Sequence, residues 1–123
     1  MPISQYAALV AEGTAILAQL KGVSGYLFGH AGDGNLHSHI CFAADAADRA
    51  QLERLVNDRL VEKALALGGT CTGEHGVGIG KQKYMLREHG APTLELMRQI
   101  KTLFDPNHIL NPGKILALEG DAS

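Results

Sequence analysis

Val23-Ser24-Gly25-Tyr26-Leu27-Phe28-Gly29-His30-Ala31-Gly32-Asp33-Gly34-Asn35-Leu36-His37-Ser38-His39-Ile40-Cys41-Phe42 is the stretch on which the fold turns. Val23 to Gly29 and Leu36 to Phe42 read as two short strands, and the Gly-Asp-Gly-Asn run between them has the chemistry of a hairpin turn. Side chains alternate along a strand, so His37 and His39 share one face while Leu36, Ser38 and Ile40 take the other. The turn that carries His30 therefore delivers a second imidazole, His37, a few residues later.

Outward from this hairpin the pattern is helical. From Ser4 to Lys21 the apolar positions Tyr6, Leu9, Val10, Ile16, Leu17 and Leu20 recur at helical spacing, and Gly22 stands where such a helix would stop. A second helix is expected to start near Asp45 or Asp48, either of which can cap it, and to run through Leu52, Leu55, Val56 and Leu60 to Gly68-Gly69. Beyond a glycine-rich loop, Gly73 to Gly80, the spacing predicts a helical turn over Lys81 to Arg87. A third helix follows from Pro92 through Leu94, Met97, Ile100 and Phe104, ended by Asp105-Pro106. Asn107 to Lys114 reads as a turn-rich tail and Ala117 to Ser123 as a frayed end. Helix, hairpin and further helices imply an α+β domain, an antiparallel sheet flanked by helices.

A chain of 123 residues fits a single domain that buries roughly two thirds of its unfolded surface without disulfides or a structural metal. Eleven basic side chains against thirteen acidic ones, with no basic run, argue against a nucleic-acid partner. Cys41 and Cys71 show no C-x-x-C spacing, so a reducing, cytoplasmic location is the expectation. The N-terminus has no basic region followed by an apolar core, and no apolar run approaches the roughly 18 residues of a transmembrane segment, so a soluble, unprocessed protein is expected.

Glycine is the compositional outlier, 15 of 123 residues against a typical share of about 7%. Many of these glycines crowd two knots, Gly29 to His37 and Gly73-Glu74-His75-Gly76-Val77-Gly78. Glycine clustered around His and Glu indicates backbone packed close to a ligand. Two histidines and a carboxylate from separate segments form a common three-ligand set for a catalytic metal with open positions. A histidine beside glycines can equally be a hydrogen-bonded turn residue, and Glu74 a capping carboxylate. A nucleotide loop is rejected, because Gly76, Gly78 and Gly80 follow G-x-G-x-G and no G-x-x-x-x-G-K-[ST] exists. A calcium loop at Asp33-Gly34-Asn35 lacks the alternating oxygen ligands and terminal glutamate. Cys71 has His75 near in sequence as a base, yet reads better as a small buried residue.

Three motifs, in order, resemble those of the C-terminal part of the FAD-linked oxidases of the vanillyl-alcohol oxidase type, the group of D-lactate dehydrogenase, glycolate oxidase and D-2-hydroxyglutarate dehydrogenase. They are Gly29-His30-Ala31-Gly32-Asp33-Gly34-Asn35-Leu36-His37, Gly73-Glu74-His75-Gly76-Val77-Gly78, and Asp105-Pro106-Asn107 to Asn111-Pro112-Gly113-Lys114. The resemblance implies that His30, His37 and Glu74 bind a divalent metal, commonly zinc. It further implies that His75 takes the proton of the substrate hydroxyl and that Asn111 lies near the flavin ring of FAD. The position of His39 is variable in the family, and His89 and His108 match no family role. On this reading a 2-hydroxy acid would become a 2-oxo acid, with FAD held mainly by an upstream domain that this chain lacks.

The resemblance thus makes residues 1–123 the C-terminal domain of a flavin-dependent D-2-hydroxy-acid dehydrogenase or oxidase, inactive alone. Its partners would be a small 2-hydroxy acid and the absent FAD-binding domain, with oligomeric state left open, a homodimer included. Two other readings compete. One is a stand-alone metal-binding module without redox activity; the other is a metal-dependent hydrolase with Glu74 as base, which is weaker because Glu74 is better used as a ligand.

Overall fold

The computed structural model describes residues 1–44 and 48–117, which form an α+β arrangement of helices and one antiparallel pair of strands. Two compact units divide the chain at Glu74 and His75, Met1–Glu74 and His75–Ser123. Among the described residues, no helix is long and apolar enough to cross a membrane.

The first unit opens with a 3-10 turn, Ile3–Gln5, that runs into α1, Tyr6–Gln19. The expected helical periodicity holds, with Leu9 and Ile16 buried on one face. Strands β1, Val23–His30, and β2, Asn35–Phe42, pair antiparallel in a register that sets Phe28 opposite His37 and His30 opposite Asn35. Each strand runs one residue further into the turn than its hydrophobic pattern indicated, so His30 ends a strand rather than sitting in the connection. A 3-10 turn over Ala31–Asp33 makes that connection and closes on Gly34 in the left-handed conformation, φ 66°. Only glycine suits this position twice over, because a Cβ there would also lie 1.9 Å from the Met1 carbonyl oxygen. The Met1 ammonium donates to the Gly34 carbonyl at 3.0 Å, and Tyr6 Oη donates to the Asn35 carbonyl at 3.3 Å, tying the turn to the start of the chain.

Helix α2, Arg49–Ala66, packs against α1, with Leu60 and the β1 residue Leu27 converging on Gly13. Val56, Val61 and Ala64 are its buried positions, whereas Leu55, counted in the apolar face by periodicity, is exposed. Asp48 occupies the N-cap position but makes no side-chain cap; its carbonyl accepts from Gln51 and Leu52 instead. The alternative start at Asp45 lies outside the described residues.

The second unit is dominated by α3, Gln82–Phe104, which is two helical segments joined at Gly90 (φ 77°, ψ 160°), with Pro92 just beyond. The break falls where the short helical turn and the third helix were expected to part, since Gly90 supplies the left-handed step and Pro92 has no N–H for an unbroken ladder. Tyr84, Met85 and Leu94 are buried. Beyond Leu94 the apolar stripe is progressively uncovered: Met97 is half-buried, and Ile100 and Phe104 are exposed. The frayed end expected over Ala117 to Ser123 lies, beyond Ala117, outside the described residues.

Candidate metal centre

The hairpin and the segment leading out of α2 bring the three expected ligands, His30, His37 and Glu74, together. His30 Nε2 lies 3.7 Å from Glu74 Oε2, and His37 Nε2 lies 3.2 Å from Glu74 Oε1. One donor atom from each of the three residues falls within 4.8 Å of the others. Donors bound to one tetrahedral zinc at 2.0–2.2 Å stand about 3.3 Å apart, a spacing with which these two separations are compatible; the 3.2 Å one equally suits an imidazole–carboxylate hydrogen bond. His30 and Glu74 are exposed and His37 is half-buried, which would leave coordination positions open to a ligand. Two imidazole nitrogens and a carboxylate oxygen are also a fitting donor set for a catalytic divalent metal. All three residues belong to the first unit.

Local packing explains how a loop carboxylate meets a strand end. A Cβ on Gly73 would lie 2.4 Å from Asn35 Oδ1, so the absent side chain lets the backbone before Glu74 close on the Asn35 amide. Around the imidazoles, the His30 and His37 rings meet edge to face, centroids 5.6 Å apart at 87°. The Phe28 ring lies 5.2 Å from that of His37 at 34°. Asn35 enters the sequence reading only as a turn residue and a rejected calcium ligand, and Phe28 only within a strand, although hairpin register places Phe28 across from His37.

His75 and Asn111 lie in the second unit. His75 is an exposed loop residue one peptide bond after Glu74. Asn111, also exposed, adopts φ 46° in the tail, a left-handed conformation that asparagine tolerates better than most residues. That tail is held at several points. The buried Asp105 carboxylate accepts from the backbone N–H groups of Ile109 and Leu110, each at 3.0 Å, and from Lys101 Nζ, which also donates to the Leu110 carbonyl at 2.8 Å. Gln82 Nε2 donates to the Gly113 carbonyl at 2.8 Å, and Ile115 N–H to the Gly78 carbonyl at 2.7 Å. The hydrogen bond from Lys101 holds the Asp105 carboxyl below the usual carboxylate range; burial opposes this, and the Leu110 and Ile109 amides assist it. Cys71 is buried, in keeping with its reading as a small core residue, and His39 is exposed. His89 Nε2 lies 3.6 Å from Glu88 Oε1.

Residues 1–115 match the family model described as FAD linked oxidases, C-terminal domain. The chain belongs to this family. Among similar proteins, the probable mitochondrial D-lactate dehydrogenase of Danio rerio is 39% identical over 96% of this chain and 24% of its own length. The mitochondrial D-lactate dehydrogenase [cytochrome] 1 of Saccharomyces cerevisiae is 44% identical over 94% of this chain and 19% of its own. Glycolate oxidase subunit GlcD of Bacillus subtilis is 41% identical over 95% and 25% respectively. The chain thus spans a quarter or less of the length of these relatives. Two of these relatives are mitochondrial by name, which overturns the cytoplasmic expectation. Two cysteines without C-x-x-C spacing, both free, carry no address and so could not discriminate between compartments.

Proposed function

We propose that this chain is the C-terminal portion of a flavin-dependent enzyme that oxidises a D-2-hydroxy acid to the 2-oxo acid with metal assistance. The observation that carries the reading is the convergence of His30, His37 and Glu74 in a member of the FAD linked oxidase family. These three side chains would hold a divalent metal, with zinc favoured by two imidazoles and one carboxylate. When bound, the metal supplies Lewis acidity that lowers the pKa of a hydroxyl, and FAD supplies a two-electron acceptor.

The chain's own residues do the remaining work. His75 takes the hydroxyl proton on an imidazole nitrogen, as a general base does. Loss of that proton together with the Cα hydrogen and its electron pair leaves the 2-oxo acid. Asn111 offers an exposed amide to the flavin ring, and the Asp105 clip keeps the backbone around that amide in place. The remaining part of the enzyme, including its flavin site, is the partner this reading requires. The exposed stripe Leu96, Ile100, Leu103 and Phe104 on α3 supports such a partner, because apolar surface of this kind is stabilised by being covered.

A polypeptide that joins this chain to a flavin-binding portion is expected to bind FAD and to reduce a dye with D-lactate or glycolate. His75→Ala should abolish dye reduction while sparing bound metal. Loss of metal in that variant would show that base and ligand have been confused. Metal binding with no flavin and no turnover would favour the stand-alone module.

A further inference from the structure

The outer face of the hairpin continues from the His30, His37 and Glu74 cluster onto an aromatic surface. Alternation along β1 and the strand register place Tyr26, Phe28 and His30 on the face that also carries Asn35, His37 and His39. Helix α1 lies against the other face, where Leu27 approaches Gly13 and Leu17 approaches Gly25. Phe28 and Tyr26 consequently remain 56% and 70% exposed, although aromatic rings have much to gain from burial. The Phe28 ring meets the His37 ring at 5.2 Å. Neither strand carries Lys or Arg. On α2, Arg59 and Lys63 pair with Glu12, and Arg49 donates to the carbonyls of Ala43 and Ala44.

We propose that Phe28, extended by Tyr26, is a specificity-determining surface that receives the side chain of the 2-hydroxy acid and selects apolar side chains over carboxylate-bearing ones. The proposal rests on the metal-site reading above. A 2-hydroxy acid whose carboxylate and hydroxyl oxygens are held at the cluster must direct its third carbon elsewhere, and the ring beside His37 is the adjoining surface. Each methylene buried on that ring is worth about fourfold in affinity. A terminal carboxylate, as in D-2-hydroxyglutarate, would instead lose water against the electron-rich face of an aromatic ring with no Lys or Arg on either strand to receive it.

The test uses the purified chain loaded with zinc and titrated separately with D-2-hydroxyisovalerate and D-2-hydroxyglutarate, with binding followed by saturation-transfer NMR. The branched apolar acid should bind about fivefold or more tightly than the diacid, with saturation strongest at its methyl groups. Phe28→Ser should erase that preference while zinc content stays unchanged. Failure to take up zinc would sink the metal-site reading itself. Zinc uptake with no preference, with the diacid preferred, with neither acid bound, or with the preference intact in Phe28→Ser would overturn the present inference alone. Should Phe28→Ser lose zinc or fail to fold, Tyr26→Ser and Phe28→Leu decide. The first should weaken the preference and the second retain it, and the opposite pattern overturns the proposal.

Discussion

Ile16 and Val56 are fully buried in the unit Met1–Glu74, whereas Leu103 and Phe104 at the end of α3 in the unit His75–Ser123 are 77% and 78% exposed. The first unit holds two of its three donors on a hairpin backed by packed helices and the third, Glu74, on the loop that follows α2. The second holds its tail with a polar clip centred on Asp105 and leaves apolar turns of its longest helix in water. His30 and His37 sit on hydrogen-bonded strands and Glu74 meets them from a loop, whereas the end of α3 presents apolar side chains that no described residue covers.

The contrast breaks first at the core. Ile16→Ala should cost about 2–5 kcal/mol, since a buried aliphatic side chain leaves both lost transfer energy and a cavity. Urea unfolding of the chain would show it as a lower midpoint. An unchanged midpoint would mean that α1 does not support the hairpin. Next comes the donor set. His30→Ala or Glu74→Ala should weaken zinc binding about tenfold or more, where each tenfold is about 1.4 kcal/mol, while His75→Ala leaves it nearly unchanged. Calorimetric titration with zinc separates these, and equal losses in all three variants would remove the distinction between the cluster and the residue that follows it.

A third effect is smaller and depends on pH. Asp105 is held below the usual carboxylate range chiefly by its hydrogen bond from Lys101, so the folded protein binds this proton less readily than the unfolded chain. The contribution of the clip is complete above the unfolded carboxylate range and is lost as pH falls through the lowered folded value. Asp105→Asn should therefore reduce the thermal midpoint at neutral pH by less than Ile16→Ala does, and should flatten the acid limb of its pH dependence. An acid limb identical to that of the unsubstituted chain would show that Asp105 is not the group being titrated.

Much of this architecture was legible in the residues because its signals are local. Alternating strands around Gly-Asp-Gly, the stop at Gly22, and Gly90 followed by Pro92 each act through backbone preferences within a few residues. What escaped depends on tertiary placement. Asp48 is a favourable cap by type, yet its side chain makes no such bond, and Leu55 has the right spacing but faces solvent. In the candidate centre, His30, His37 and Glu74 could be nominated from their glycine-rich surroundings and from family resemblance, but only coordinates bring their donor atoms within 4.8 Å. The tilted contact of Phe28 with His37 follows from register, which a list of ligand-type residues does not consult.

The smallest expected effect bears most directly on the contrast between the units. Leu103 stands on the side of α3 away from the buried Leu94, and at 77% exposure it has little burial to lose. Leu103→Ala should thus change the stability of this chain by no more than about 0.5 kcal/mol, as surface substitutions commonly do. In a polypeptide that includes the flavin portion, the same substitution should cost about 2 kcal/mol or more if that portion covers the stripe, because the side chain would then be removed from a packed interface. Paired unfolding measurements on the two proteins read the difference. An equally small effect in both would place the covering surface elsewhere on the second unit, and an equally large one would mean that Leu103 is already packed within it.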